Sequence, residues 1–190
     1  AATRAPLCAT RRWDATKARG PAPARFQGRG RYESEFSKMN RRPTVIDLFS
    51  GAGGTGLGFS RAGFEIVGAL ELDRHAAMTY EKNLGIKVTQ TDIRDLSPSV
   101  FRNRLSLDRG QLDVLIGCPP CQGFTRLRNS LGQGDSRNEL VFRYLEYVEE
   151  FQPRFTVFEN VPGLLSAHKG QIWENIQNCF SKAGYNIGYK

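Results

Sequence analysis

The stretch "TVIDLFSGAGGTGLGF", residues 44–59, begins as a β-rich apolar run and ends in a cluster of glycines. It predicts a buried strand over 44–49, a sharp turn, and a helix from about Gly54 to Ala62. Gly51-x-Gly53-x-x-Gly56 lets the backbone turn tightly and approach a ligand closely. Glu71 lies twenty residues beyond Gly51, at the end of the next predicted strand, where a carboxylate suits ribose hydroxyls. The pattern points to a nucleoside at a sheet edge without saying which one, and a purely structural glycine turn is the alternative.

Working outward, short apolar runs alternate with longer helical ones, which predicts an α/β fold with a mostly parallel sheet. The expected strands are "EIVGALE" (65–71), "IKVTQ" (86–90), "LDVLIG" (112–117), "RFTVFE" (154–159) and the run starting "YNIGYK" at 185. Between them, Asp73 reads as the N-cap of "RHAAMTYEKNL", which Gly85 stops. "RNELVFRYLEYVEEF" (137–151) places Leu140, Tyr144, Val148 and Phe151 on one face. "QIWENIQNCFSKAG" (171–184) places Ile172, Ile176, Cys179 and Phe180 on one stripe, ending at Gly184. The loop over 117–136 carries no core pattern, and loops of that length are commonly functional.

A second acid, Asp92, follows the third expected strand of the fold. It shares the carboxyl edge with Glu71 and the glycine loop, the edge at which open α/β sheets bind ligands, and suits an exocyclic amine such as adenine N6. A solvated turn acid is the alternative for Asp92 taken alone.

The loop after "LDVLIG" contains "GCPPCQGF", with Cys118 and Cys121 flanking two prolines. A redox dithiol needs its first cysteine at a helix N-terminus, and little helix signal follows here. A zinc site needs two further ligands, and Cys8, Cys179, His75 and His168 stand in no knuckle spacing. The third reading is a nucleophile, Cys121, on a turn at the carboxyl edge. The next strand delivers Glu159 and Asn160 to that edge, which gives a nucleophile-plus-acid arrangement beside the nucleoside pocket.

These motifs together resemble the DNA cytosine-5 methyltransferases. "DLFSGAGGTGLGF" is similar to the family's cofactor motif, "GCPPCQGF" to its Pro-Cys-Gln motif, "FENVPGL" to its Glu-Asn-Val motif, and "GDSRNEL" to the patch before the intervening helix. All four stand in the family's order, from about Thr44 to Lys190. The resemblance implies a Rossmann-like methyltransferase fold, incomplete at its C-terminal end, with helices on both faces of the sheet and S-adenosylmethionine as cofactor. It implies cofactor contacts from Phe49, Ser50, Gly51, Gly53, Gly54, Glu71, Leu72, Asp92, Ile93 and Pro119. It also implies that Cys121 adds to C6 of a flipped cytosine, that Glu159 holds N3, and that Asn160 braces the loop. Gln122, Arg126, Arg128 and Arg137 are the expected DNA contacts, with a solvated surface the alternative for the arginines. Cys118, where many relatives carry a small residue, is expected to be a passenger.

Composition sets the remaining expectations. With 39% hydrophobic and 24% charged residues, the chain suits a soluble globular domain, and no apolar run is long enough to cross a bilayer. Four unevenly spaced cysteines suit a reduced, cytoplasmic setting, nucleoid-associated in a bacterium. No metal is expected. The net charge of +8 lies wholly in residues 1–42, which hold 11 Lys/Arg and 3 Asp/Glu. Residues 1–38 lack hydrophobic periodicity and are expected to be a disordered basic extension, with the domain over 39–190. A transit segment or a nucleic-acid arm are the other readings of that extension. The family's later Gln-x-Arg-x-Arg motif and target-recognition region have no counterpart here. The chain is therefore expected to be inactive or weak alone, acting on double-stranded DNA with a complementing chain. An RNA-directed relative, a non-catalytic remnant and a nicotinamide-dependent oxidoreductase are the alternatives.

Overall fold

The computed structural model describes residues 5–11, 40–120, 138–160, 163–166 and 170–189. Seven strands form one sheet: β1 (Ala5–Arg11), β2 (Thr44–Leu48), β3 (Glu65–Glu71), β4 (Thr89–Gln90), β5 (Val114–Gly117), β6 (Phe155–Asn160) and β7 (Tyr185–Tyr189). Their spatial order is β4-β3-β2-β5-β6-β1-β7. The first five in that order are mutually parallel, and β1 alone runs antiparallel to its neighbours β6 and β7. The order reverses at β2, so the ends of β2 and β5 open a crevice on the carboxyl edge, where such sheets take ligands.

Helices α1 (Gly54–Arg61), α2 (Arg74–Leu84), α3 (Pro98–Arg104), α4 (Asn138–Phe151), α5 (Gly163–Ser166) and α6 (Gln171–Lys182) complete the described fold. Period-2 alternation sorts the strand residues between two helical layers. Val45, Ile66, Val114 and Ile116 pack with Ala77 and Tyr80 of α2. Ile46, Leu48, Leu70 and Leu115 pack on the opposite face with Tyr144, Val148 and Phe151 of α4 and with Ile176 and Phe180 of α6. The expected fold class is the one observed.

Local signals account for most boundaries. The Asp73 carboxylate accepts the Ala76 N–H and caps α2, which ends at Gly85 with φ 69°. Helix α3 lies in a polar, proline-containing stretch for which the sequence predicts no element. Ser97 and Pro98 start it, and it is held by one large apolar side chain, Phe101, which is 1% exposed. Cys179 departs from its expected stripe and is exposed, because Ile172, Ile176 and Phe180 recur at every fourth residue and turn the buried face away from it.

The front end requires a correction. Residues 5–11, within the extension expected to be disordered, form β1 between β6 and β7, with Ala5 opposite Asn160 and Arg11 opposite Tyr185. The final strand, β7, is therefore paired along one side. Backbone N–H and C=O groups along an open strand accept any extended partner, so this pairing needs no side-chain periodicity.

At the opposite, amino-terminal edge, Asp113 is fully buried. It binds Arg41 (2.6 Å), the Thr44 amide (2.8 Å) and Arg154 (3.5 Å), pinning together the chain segments that enter β2, β5 and β6.

Candidate active site

The glycine loop crosses the carboxyl end of β2. Phe49 (φ 56°), Gly51 (φ 55°) and Gly53 (φ 96°) all occupy the left-handed region, which glycine adopts freely and Phe49 only under strain. The loop is held from β3. Glu71 accepts the Gly51 amide with one carboxylate oxygen and the Asp73 amide with the other, each at 2.8 Å. Glu71 thus supports the loop as well as facing the cavity beside it.

That cavity, of about 290 Å³, is lined by Phe49, Leu70, Glu71, Leu72, Thr91, Asp92, Ile93, Arg94, Cys118, Pro120 and Leu140. Two carboxylates and apolar walls converge there, the chemistry of a nucleoside pocket. Asp92 is engaged on both oxygens by Arg94, at 2.6 Å for the closest pair, and the guanidinium holds its carboxyl below the usual range. Ser50, just after Phe49, has a buried hydroxyl with no partner among the described residues. The two carboxylates and the apolar walls of the cavity fit an adenosyl-type cofactor.

Of the residues expected to contact the cofactor, Phe49, Glu71, Leu72, Asp92 and Ile93 line the cavity. Gly54 is exposed at the start of α1, and Pro119 is buried behind the wall to which Pro120 contributes. Cys118, expected to be a passenger, lines the cavity too. Arg94 and Thr91 line it and were not singled out from the sequence, although Arg94 follows Asp92 by the i+2 spacing that an Asx-type turn favours.

Glu159 and Asn160 close the carboxyl end of β6. Glu159 is half-buried and Asn160 is 8% exposed, and the Asn160 amide donates to the Pro119 carbonyl at 3.4 Å. Strands β5 and β6, which carry the proline turn and Glu159, are cross-braced by Tyr144. Its hydroxyl reaches the Leu115 carbonyl (3.2 Å), the Thr156 hydroxyl and the Val157 carbonyl (3.3 Å). Its ring occupies the space that a side chain at Gly117 would fill. Cys121, Gln122, Arg126, Arg128 and Arg137 lie outside the described residues.

The family model for the C-5 cytosine-specific DNA methylases matches residues 43–190. The chain belongs to that family. It is similar to the type II methyltransferase M.FnuDI of Fusobacterium nucleatum, at 40% identity over 146 residues, covering 77% of this chain and 40% of that protein. It is similar to M.AgeI of Thalassovita gelatinovora at 41% over 145 residues, covering 74% and 33%. Among solved structures, a chain assigned as a DNA modification methyltransferase from an Escherichia coli prophage matches with a TM-score of 0.63. Its identity is 38%, with 74% of this chain and 38% of that one covered. The S. pombe Dnmt2 methyltransferase, at 24% identity and a TM-score of 0.55, shows the shared fold alone. The chain spans about two-fifths of the length of M.FnuDI. Among the described residues, no helix is long and apolar enough to cross a membrane, and no acid, cysteine and histidine group could hold a metal.

Proposed function

We propose that this chain carries the cofactor-binding and nucleophile-bearing part of a DNA cytosine-5 methyltransferase, acting with further sequence that reads the target. The observation that carries this reading is the shared edge. The cavity with Glu71 and Asp92, the proline turn two residues before Cys121, and the Glu159–Asn160 strand end all lie at the carboxyl ends of neighbouring parallel strands.

S-adenosylmethionine, when bound, supplies an electrophilic methyl group on a sulfonium centre. Glu71, whose oxygens keep lone pairs beyond the two backbone bonds, accepts from the ribose hydroxyls. Asp92 accepts from the adenine amine, and Phe49, Leu72 and Ile93 give the base apolar walls. Ser50, Gly51, Gly53, Gly54 and Pro119 contribute backbone surface around it.

The target cytosine is extruded from double-stranded DNA, at a cost of a few kcal/mol. The Cys121 thiolate bonds to C6, and the displaced electron pair makes C5 nucleophilic. Glu159 donates to N3 and stabilises that adduct, a form of acid assistance typically worth about 10²–10⁴-fold. Asn160 holds the proline turn against β6 and so fixes the approach of Cys121. After methylation, loss of the C5 proton restores the double bond and expels the thiolate. Gln122, Arg126, Arg128 and Arg137 engage the DNA around the opened site. In isolation these 190 residues are proposed to turn over weakly or not at all, because the aligned relatives use more than twice this matched length. The setting is proposed to be the cytoplasm.

The test is a duplex pool containing 5-fluorocytosine, incubated with S-adenosylmethionine and this chain, with and without host extract. A denaturation-resistant adduct that Cys121→Ser abolishes is the expected result, stronger with extract. A single-stranded RNA pool run alongside separates an RNA-directed activity. Adduct formation that survives Cys121→Ser would overturn the assignment of the nucleophile.

A further inference from the structure

Beneath the glycine loop lies an ionisable pair that neither the cavity nor the reaction employs. Asp47, in the middle of β2, is 1% exposed, and Tyr80 of α2 is fully buried. The Tyr80 hydroxyl donates to Asp47 Oδ2 at 3.3 Å. The Gly56 amide, in the first turn of α1, faces the same carboxylate and lowers its proton affinity. Gly53, the N-cap of α1, has no side chain to cap the helix. The cap is thus supplied from the strand below. An aspartate at this place satisfies one of the helix's orphan N–H groups and meets the positive end of its dipole.

The fit is close on both sides. A Cβ on Gly56 would lie 2.5 Å from the Tyr80 hydroxyl and 2.9 Å from Asp47 Oδ2, and a Cβ on Gly53 would lie 3.0 Å from the Tyr80 ring. The loop therefore rests on this pair, with Gly53 on the ring and Gly56 on the phenol and carboxylate.

We propose that Asp47 is the positioning residue of the glycine loop: its ionised carboxylate, drawing in the Gly56 amide and the Tyr80 hydroxyl, sets the loop's place beside the cavity and makes cofactor affinity depend on pH. The proposal rests on the reading of that cavity as the S-adenosylmethionine site. Burial pushes the Asp47 carboxyl up to about 7, the Tyr80 and Gly56 hydrogen bonds oppose the rise, and the Glu71 charge adds to it. Among the described residues, the titratable groups facing Asp47 are Tyr80 from α2 and Glu71 from β3. Helix α1 presents only its amide, and β5 presents Ile116 at the paired position. Tyr80 is itself pushed upward, chiefly by burial, and stays protonated as a donor throughout the neutral range. Charge-assisted hydrogen bonds are about twice as strong as neutral ones, so the loop is gripped when Asp47 is ionised and loosened when it is protonated.

The experiment is calorimetric titration of the full chain with S-adenosylmethionine between about pH 6 and 8, together with thermal unfolding at both ends of that range. Wild-type affinity is expected to rise about tenfold across the range, the size expected when one hydrogen bond gains charge assistance. Asp47→Asn is expected to bind at the weaker level throughout, without a slope. At the upper pH it should melt no lower than the wild type, because the substitution also removes a buried charge. Tyr80→Phe keeps the ring and removes the donor that holds the Asp47 carboxyl down, so the midpoint of the affinity profile should move to higher pH. A purely structural role would lower melting temperature and affinity together and leave the slope in place, which would overturn the proposal. Wild-type binding with an unchanged slope in Asp47→Asn removes the proposal alone. Failure of the wild type to bind at any pH removes the cofactor reading and the proposal with it.

Discussion

Asn160 and Pro119 are 41 positions apart in sequence, yet the buried amide of the first donates to the carbonyl of the second across 3.4 Å. This bond ties the residue after Glu159 to the turn that leads, two residues later, to Cys121. The bond lies between parallel neighbours, β5 and β6, whose register pairs Gly117 with Phe158.

Asn160→Ala should therefore cost about 1–2 kcal/mol in urea unfolding, the usual penalty for orphaning a buried polar partner. Adduct yield on 5-fluorocytosine DNA should fall further than cofactor affinity does. Asn160→Asp should be worse, because it sets a carboxylate oxygen against the Pro119 carbonyl.

Two glycines of α1 give opposite expectations. Gly56→Ala forces a methyl group to within 3 Å of Tyr80 and Asp47 and should destabilise by about 2–3 kcal/mol, as overpacking commonly does. Gly58→Ala meets nothing within 4 Å and should stabilise by about 0.5–1 kcal/mol through helix propensity. Denaturant midpoints of the two variants provide the comparison.

Stability should depend on pH through two acids of opposite sign. Asp47 titrates higher in the fold than in the unfolded chain, so its contribution is full below about pH 4 and is lost as pH rises towards 7. Asp92 is held low by Arg94, so its smaller, solvent-screened contribution is present above its ordinary range and is lost as pH falls. Urea unfolding across about pH 4–8 should show the wild type weakening towards neutrality and Asp47→Asn losing that decline.

Glu71→Gln retains one acceptor oxygen and places an NH₂ group against either the Gly51 or the Asp73 amide. A loss of about 1–2 kcal/mol in thermal unfolding is expected for that mismatch. Cofactor binding should weaken as well, since the same carboxylate borders the cavity.

Much of this was readable from short-range pattern. β3 spans the short apolar run that predicted it, and the Asp73 cap and the Gly85 stop flank α2 as expected. The cavity acids were found because chain order alone puts strand ends on one edge. What escaped was either too small or too distant. Helix α3 buries one large side chain and so has no period to detect. Strand β1 is held by backbone pairing, which leaves no trace in composition. The Asp47–Tyr80 contact joins residues 33 apart, and nothing local to "DLFSG" announces that its aspartate points under the loop. The second duty of Glu71, holding up the glycine turn, was likewise invisible beside its first.

Asp113 gives the fold a clasp. Arg41, Thr44 and Arg154 converge on that one buried carboxylate from chain segments that the sequence keeps far apart. A backbone cut at the exposed turn around Gly110 would leave two pieces, with Arg41 and Thr44 on one and Asp113 and Arg154 on the other. Asp113 would keep Arg154 on its own piece, and its closer contacts, to Arg41 and Thr44, would have to form between the two pieces. Two such pieces are therefore expected to pair in the native strand register, and Asp113→Asn should weaken their co-purification.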